Sequence, residues 1–356
     1  MKILIYLGHP AQYHFFKNIV NELKKRHEIR YLIKTKDILE HLLIGDNVEY
    51  KNILPEGRKS TQSGIVWGLI KREIKMLVEA VRFRPDLMLG ADPSVAHIGR
   101  VLRVQTFTIL EDDAHVIKDL AKITFPFSSF IIAPTSCDCG KWSSKKISYA
   151  GYMKLAYLHP DIFEYTPNSH QRTALIRLSN LGAYHDKGIK GFDESLLKGI
   201  IKRLALGFTV RVSSEKPIGS WIDAYLLKIN PRDMHKALID VSILISDSQS
   251  MTMEAAMLGI PSIRYSDFSG RIGVLDELEH QYRLTTGIKP GNLEKLHLTL
   301  ENILSIPDLR EEYQKRRKEM LRDKINVSKF FTWLINGYPS SITIMKNDPD
   351  YQFNFQ

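Results

Sequence analysis

The residues best suited to chemistry lie together in one short segment, Ser246 to Glu254, which has the sequence Ser-Asp-Ser-Gln-Ser-Met-Thr-Met-Glu. It follows a predicted buried strand, Ser242 to Ile245, and leads into a predicted helix. The start of a helix offers unpaired N–H groups and the positive end of the helix dipole, which together favour a bound diphosphate. Ser248 and Ser250 can donate hydroxyl groups to the same phosphate oxygens. Glu254 lies one turn beyond Ser250 on the same face, where a carboxylate can accept hydrogen bonds from ribose hydroxyls.

The same segment also has a purely structural interpretation, in which one of its polar residues caps the helix. Asp247, Ser248 and Ser250 are then the capping candidates, and Glu254 is a solvent-facing acid of the first turn. If the segment binds a ligand, its other residues are candidates for contact as well: Ser246, Gln249, Met251 and Thr252. The local sequence supports both interpretations.

Polar side chains also follow predicted strands in the first part of the chain, where open α/β sheets bind their ligands. Gly8 can make a tight turn after the first strand, and His9 then projects from the strand end. Asp92 follows another strand and is either a base or a cap for the next helix. Glu111 begins the run Glu-Asp-Asp-Ala-His, whose density of titratable groups suits general acid–base chemistry. We therefore expect His9, Asp92 and Glu111 to be catalytic.

A second group of candidates follows the first strand of the later half of the chain. The segment Ala183 to Gly188 contains His185 as a catalytic candidate, with Asp186 and Lys187 as substrate ligands placed over a diphosphate; a surface turn is the alternative. Arg177 and Arg211 are expected to line the same pocket. We predict no metal ion, because Cys137 and Cys139 supply too few ligands for zinc.

The elements that must position these residues alternate along the chain, with short apolar runs between helical patterns, as in parallel sheets with crossover helices. A chain of 356 residues is long enough for two domains. We predict one domain over residues 1–157, a second over 170–325, a helix within 326–344 that crosses back to the first, and a loose polar tail over 345–356.

The net charge of +10 and the pI near 9.3 admit three partners: nucleic acid, an anionic membrane surface or an anionic small substrate. The basic residues occur in ordinary helix patterns without a nucleic-acid-binding motif, which favours the small substrate. Peripheral membrane contact is the alternative use of the long amphipathic helix Ile65–Arg82, which can also pack on its own sheet. The two neighbouring cysteines and the lack of a long apolar run predict a cytoplasmic protein, peripheral at most to the inner face of the membrane.

The segment Ser246 to Pro261 resembles the donor-binding signature of GT-B glycosyltransferases and of non-hydrolysing UDP-N-acetylglucosamine 2-epimerases. In those families a hydroxyl-and-glycine loop holds the diphosphate and the following Glu holds the ribose; here the paired glycines are replaced by Gln249 and Ser250. Asp92 and Glu111 fall at the places of two acidic catalytic residues of the epimerases. Four dispersed motifs resemble domain-of-unknown-function family 354, which is related to GT-B enzymes: Gly8–Phe16, Ala183–Gly188, Ile229–His235 and Ser250–Arg264.

These resemblances imply an α/β protein of the GT-B type, with two Rossmann-like doubly wound domains that face each other across a cleft. The implied activity is that of a metal-independent glycosyltransferase with a UDP-linked sugar donor and no other cofactor, acting on a sugar or lipid-linked acceptor in polysaccharide or glycolipid synthesis. A nucleotide-sugar 2-epimerase and a non-catalytic nucleotide-sugar-binding protein are the alternatives.

Overall fold

A computed structural model describes residues 1–36, 38–56, 62–164, 172–179, 192–215 and 218–356 of the chain. These residues form two compact units, Met1–Tyr157 with Ile325–Gln356, and Leu158–Lys324. The first unit thus takes its residues from both ends of the chain, and the second is one continuous stretch of sequence.

The first unit is built on a seven-stranded sheet in which every neighbouring pair of strands is parallel. Its central strands are almost completely buried, because helices cover both faces of the sheet. The strands, in chain order, are β1 (Lys2–Leu7), β2 (Glu28–Lys34), β3 (Tyr50–Leu54), β4 (Leu87–Gly90), β5 (Gln105–Ile109), β6 (Phe130–Pro134) and β7 (Lys146–Tyr149). The helices up to the second unit are α1 (Pro10–Leu23), α2 (Leu39–Gly45), α3 (Gln62–Phe83), α4 (Pro93–Leu102), α5 (Lys118–Thr124) and α6 (Leu155–Leu158).

The second unit contains a five-stranded parallel sheet. Its strands are β8 (Thr173–Leu178), β9 (Thr209–Ser214), β10 (Val241–Ser246), β11 (Ser262–Tyr265) and β12 (Thr285–Ile288). Its helices are α7 (Glu194–Leu204), α8 (Met234–Ile239), α9 (Gln249–Leu258), α10 (Gly273–His280), α11 (Leu293–Leu304) and α12 (Leu309–Asp323). Back in the first unit, α13 (Val327–Asn336) and α14 (Ser340–Asn347) complete the described helices. The alternation predicted from the sequence is confirmed in both units.

The order of the strands reverses once in each sheet. In the first sheet, β3-β2-β1-β4-β5-β6-β7, the reversal falls between β1 and β4; in the second, β12-β11-β10-β8-β9, it falls between β8 and β10. The connections leave to opposite sides at such a reversal, so a crevice opens at the carboxyl ends of the two strands. The fold therefore places the residues after β1 and β4, and those after β8 and β10, where α/β sheets bind ligands.

The prediction of a loose tail over residues 345–356 is wrong. The tail continues from α14 into a short 3-10 helix, Pro349–Phe355, which packs on α13. The ring of Tyr351 stacks on Trp333 at 4.9 Å, and the backbone N–H of Asn326 donates to the carbonyl of Phe355 at 2.6 Å. Buried Gln352 accepts a hydrogen bond from the N–H of Ala150. Aromatic side chains hold the tail in place, but the apolar residues of the tail are not spaced as in an amphipathic helix or strand. The sequence of the tail therefore does not indicate that it is ordered.

None of the described helices combines the length and the apolar character needed to cross a bilayer. The long helix α3 packs its inner side chains, Met76, Ala80 and Phe83, into the core of the first unit. The prediction that α3 packs on its own sheet is therefore confirmed for that face.

Candidate functional site

The segment between β10 and α9 forms the predicted turn from a buried strand into a helix. Ser246 ends β10 and is buried, and its hydroxyl oxygen accepts the N–H of Ser248 at 2.8 Å. The helix begins at Gln249, so that Gln249 and Ser250 form its first positions. Backbone N–H groups at these positions have no partner within the helix itself. The start of α9 thus presents amide donors at the reversal between β8 and β10.

Ser248 is the cap of α9, since its side chain accepts the N–H of Met251 at 3.3 Å. The capping interpretation is therefore correct for Ser248, whereas Asp247 has another role. Asp247 is buried, and its Oδ1 accepts both the N–H and the hydroxyl of Ser179 at 2.7 and 2.8 Å. This carboxylate ties the end of β10 to the end of β8 and fixes the shape of the crevice between them.

The purely structural interpretation required Glu254 to face solvent. The residue is only 7% exposed, so that part of the interpretation is wrong. Its Oε1 lies 3.2 Å from Nε2 of His235, which belongs to α8. At this distance an imidazole N–H donates to a carboxylate and fixes its orientation. The sequence had marked His235 as part of a motif without giving it a role. The structure makes it the residue that positions Glu254.

Two other predicted ligands in this helix have internal contacts. Thr252 is completely buried, and its hydroxyl donates to the carbonyl of Ser248 at 2.7 Å. Met251 is also buried, and its N–H binds Ser248. The hydroxyl of Thr252 is therefore engaged within the helix, whereas ligand contact by the Met251 side chain stays a prediction. The helix is capped at its end by Gly259, whose φ of 68° favours glycine.

Two arginines flank Ser246 across the sheet. Arg177 of β8 and Arg264 of β11 are the register neighbours of Ser246 on its two sides. Neighbours in register point to the same face of a parallel sheet. Arg177 donates to Ser213 Oγ at 2.6 Å and pairs with Glu215, so its guanidinium is already bound to β9 and the residue after it.

Arg264 has a more unusual environment. It is 1% exposed, and its three guanidinium nitrogens find no hydrogen-bond partner within the described ranges. Burial lowers the pKa of Arg264 to about 10, although the charges of Glu279 and Asp276 act in the opposite direction. The group is therefore a cation at neutral pH, and it adds positive potential behind the start of α9.

The remaining predictions for the second unit divide into two groups. Arg211 is exposed and lies in the middle of β9, opposite Leu175 and three residues before the strand ends at Ser214. Its part in the pocket stays a prediction. His185, Asp186 and Lys187 lie outside the described residues, so their roles remain predictions.

In the first unit, His9 lies at the end of β1, where the strand order reverses. Its Nδ1 accepts the N–H of Ala11 at 3.2 Å, which makes His9 the cap of α1. A ring nitrogen that accepts an N–H carries no proton, so the neutral ring has its proton on Nε2 and can donate from there. The N–H of Gly8 is bound to Gln12 Oε1 at 2.7 Å. This geometry suits His9 as a hydrogen-bond donor better than as a base.

Asp92 lies across the same reversal, after β4, and caps α4. Its Oδ1 accepts the N–H of Ser94 at 3.0 Å and lies 3.0 Å from Nε of buried Arg72. Its Oδ2 makes no hydrogen bond or ion pair within the part of the chain that the structure describes. Burial, followed by the charge of Asp92, raises the pKa of the neighbouring Tyr6 hydroxyl, which stays protonated. The contacts of Oδ1 thus fix the orientation of the Asp92 carboxylate and leave Oδ2 available to accept a hydrogen bond or a proton.

Glu111 is held differently, because both of its oxygens have partners. Oε1 forms a buried ion pair with Lys154, and Oε2 accepts the N–H of Met153 at 3.0 Å. The neighbouring Asp113 is also engaged, since its Oδ1 accepts the N–H of Asp138 at 2.7 Å. Glu111 therefore fixes the segment before α6 to the end of β5.

One group of side chains in the described residues has the spacing of a metal site, namely Asp276, Glu279 and His280 on α10. Glu279 Oε2 already accepts the N–H of Gly287 at 2.9 Å, and the charges of Asp276 and Glu279 act on Arg264. The group serves as the counter-charge of a buried arginine and not as part of the strand-end site. The absence of a metal from the reaction remains a prediction.

The fold of the chain is similar to that of several solved structures. The chain is similar to the S. aureus MnaA protein in its co-structure with UDP, at 12% identity and a TM-score of 0.69, over 96% of this chain and 98% of that one. It is similar to the UDP-GlcNAc 2-epimerase of Neisseria meningitidis bound to UDP-GlcNAc, at 14% identity and a TM-score of 0.65, over 95% and 99%. It is also similar to the spinosyn rhamnosyltransferase SpnG complexed with spinosyn aglycone, at 12% identity and a TM-score of 0.59, over 95% and 99%.

No protein-family model matches the sequence, and no curated protein matches it. The resemblance to domain-of-unknown-function family 354 therefore remains a hypothesis. The similarity to the three solved structures spans nearly the whole length of each chain, and the predicted GT-B fold is confirmed.

Proposed function

We propose that this chain is a metal-independent glycosyltransferase that binds a UDP-linked sugar donor at the start of α9. The observation that carries the proposal is a pair of features in that helix: amide donors at Gln249 and Ser250, and one turn later the buried carboxylate of Glu254, held by His235. The two features match two neighbouring polar parts of a nucleoside diphosphate, the phosphates and the ribose. The acceptor is a sugar or a lipid-linked sugar of a surface polysaccharide or glycolipid, made in the cytoplasm.

The donor diphosphate binds the amides at the start of α9. Ser248 accepts a hydrogen bond as the helix cap, but its own hydroxyl hydrogen can still donate to a phosphate oxygen. Arg264 adds positive potential from below. The ribose hydroxyls donate to Glu254, which His235 keeps in place. The ligands of two solved structures of this fold, UDP and UDP-GlcNAc, support a nucleotide of this class.

Asp92 is the group that we assign as the catalytic base. Glycosyl transfer bonds the acceptor oxygen to C1 of the sugar and releases the proton of the acceptor hydroxyl, which the open Oδ2 of Asp92 is suited to accept. The bond from C1 to the diphosphate breaks at the same time, and the charge that develops on the leaving UDP is stabilised by the amides of α9. His9 donates from Nε2 to a sugar hydroxyl.

A 2-epimerase is the second candidate, because solved epimerases share this fold at TM-scores of 0.65 and 0.63. That reaction assigns proton transfer to both Asp92 and Glu111. The contacts of Glu111 favour the transferase, since Lys154 and Met153 occupy both of its oxygens.

The two reactions are distinguished by what the protein does to a sugar nucleotide on its own. A panel of UDP-, GDP-, CMP- and TDP-sugars is first ranked by the shift in unfolding temperature that each one causes. The best binder is then incubated with the protein, with and without mono- and oligosaccharide acceptors, and nucleotide release and sugar configuration are followed. We expect nucleotide release that depends on an acceptor and that is lost in Asp92→Asn, with binding retained. Conversion of the sugar without an acceptor would establish the epimerase; binding without either reaction would leave a nucleotide-sugar-binding protein.

A further inference from the structure

The helix α3 carries large apolar side chains on its outer face as well as on its inner one. The inner side chains lie in the core of the first unit. Five apolar side chains on the outer face are 38% to 60% exposed: Trp67, Ile70, Ile74, Val78 and Val81. Spacings of three and four residues align them in one stripe along the helix. A contiguous exposed apolar stripe of this length is typical of an interaction surface.

Neighbouring elements extend the stripe sideways. His97 of α4 binds Glu73 of α3 at 2.5 Å through Nδ1, and its ring packs against Phe127 at 4.7 Å between centroids. Phe127 and Val101, one turn beyond His97 on α4, are both exposed. We call the five residues of the stripe together with Val101 and Phe127 the outer face of α3.

Basic side chains lie along one edge of this outer face. Lys71, Lys75 and Arg82 are exposed there; Lys71 lies 3.8 Å from Glu56, and Arg82 lies 3.5 Å from Glu79. The two acids of α3 itself are held by basic partners. Glu73 is bound to His97, and Glu79 is buried beneath Lys51 at 2.7 Å and Arg30 at 3.9 Å. The outer face thus pairs apolar side chains with a basic edge.

We propose that the outer face of α3 docks the protein on the surface of an anionic lipid bilayer, with the helix lying in the plane of the interface. The apolar stripe enters the boundary between headgroups and acyl chains, and the three basic side chains meet lipid phosphates. Trp67 is suited to this boundary, where indole rings are enriched. The proposal goes beyond the glycosyltransferase assignment and does not depend on it.

A second copy of the chain fits this face less well. In a symmetric pair, the α3 of the partner brings another row of lysines, and its acids are bound or buried in the same way. Like charges then meet along the edge of the contact. Lipid phosphates supply the opposite charge, so the basic edge favours the bilayer over the second copy.

Co-sedimentation with vesicles tests the proposal on the full chain. Vesicles of pure phosphatidylcholine are compared with vesicles that contain phosphatidylglycerol, at low and at high salt. We expect binding to the anionic vesicles alone, weakened by salt. Lys71→Gln with Lys75→Gln should weaken it about 25-fold, or about fivefold for each charge, and Ile74→Asp by at least about tenfold. Matched controls on α11, Leu298→Asp and Lys295→Gln, replace exposed residues of the same types and should bind as the unaltered protein does.

Tryptophan fluorescence gives a readout at the face itself. Anionic vesicles should shift the emission to the blue, and Trp67→Phe should remove that shift. Equal binding to both kinds of vesicle, or unchanged binding by the α3 variants, overturns the proposal. The proposal is also overturned if the protein is dimeric in solution and does not bind vesicles, and if Ile74→Asp makes it monomeric. In that case a second copy of the chain covers the outer face of α3. Unchanged unfolding temperatures exclude misfolding of the variants; if Ile74→Asp does not fold, Trp67→Ser replaces it.

Discussion

Arg264→Met tests the physical account of the buried cation behind the start of α9. In the folded protein Arg264 is 1% exposed, its guanidinium nitrogens find no hydrogen-bond partner among the described residues, and burial lowers its pKa to about 10. That lowering corresponds to a penalty of about 3 kcal/mol on the charged form in the folded state. Methionine has a similar length without the charge, and such replacements of buried ions often stabilise proteins by about 1–4 kcal/mol. We therefore expect Arg264→Met to raise the free energy of unfolding at pH 7 by about 1–3 kcal/mol.

The direction of the pKa shift fixes how this gain depends on pH. A base whose pKa is lowered by folding carries its full penalty below its folded pKa, and the penalty fades as the pH rises above about 10. The advantage of Arg264→Met should accordingly be largest at neutral pH and smaller near about pH 10.5. The same substitution should weaken the binding of UDP, because it removes positive potential from the diphosphate site.

Urea unfolding at the two pH values, with UDP binding measured in parallel, checks both effects. Arg203→Met is a matched control: Arg203 forms an exposed ion pair with Glu301, and loss of such a pair changes stability by less than about 1 kcal/mol. A loss of more than about 2 kcal/mol in Arg264→Met at pH 7 would refute the reasoning, since a loss of that size indicates a guanidinium with strong internal bonds.

Three further predictions concern single contacts. Lys154→Met should destabilise the protein by about 3–5 kcal/mol in urea unfolding, because it leaves the buried carboxylate of Glu111 without its cation; a change below about 1 kcal/mol would show that water reaches the pair. Ser248→Ala should lower the free energy of unfolding by about 1 kcal/mol through loss of the α9 cap. Ser248→Asp, which can still cap the helix, should keep most of that stability. Burial raises the pKa of the Cys137 thiol, so Cys137 should react slowly with iodoacetamide at pH 8 in the folded protein and quickly in urea; fast reaction of the folded protein would contradict its burial.

Edge strands account for the main gaps in the predicted fold. Three strands that lie at the edges of their sheets, β3, β7 and β12, have no long apolar run in the sequence. An edge strand is buried on fewer sides and tolerates polar residues, so β3, with Lys51 and Asn52 at its centre, lacks a clear apolar run. The central strands are easier to predict because they are largely buried on both faces, as in β1 and β4, and consist mostly of apolar residues.

The candidate site was predicted in part, for a related reason. Ser248, Glu254 and Asp92 are recognisable because each follows an apolar strand in the sequence. Their partners are not recognisable, since His235 and Arg72 come from other helices and meet Glu254 and Asp92 only after folding. The contacts of Glu111 with Lys154 and of Thr252 with Ser248 likewise changed the interpretation of residues that the sequence had identified.

The central claim is that the start of α9 and Glu254 bind a nucleotide sugar, and calorimetric titration with the best UDP-sugar of the panel tests it most directly. We expect one saturable site in the unaltered protein and an affinity about 10- to 100-fold lower in Glu254→Ala, because the ribose then loses a charged hydrogen-bond partner. Glu301→Ala, which removes an exposed carboxylate of the same unit, should bind as the unaltered protein does. Failure to bind any UDP-, GDP-, CMP- or TDP-sugar, or binding that Glu254→Ala leaves unchanged, would contradict the claim.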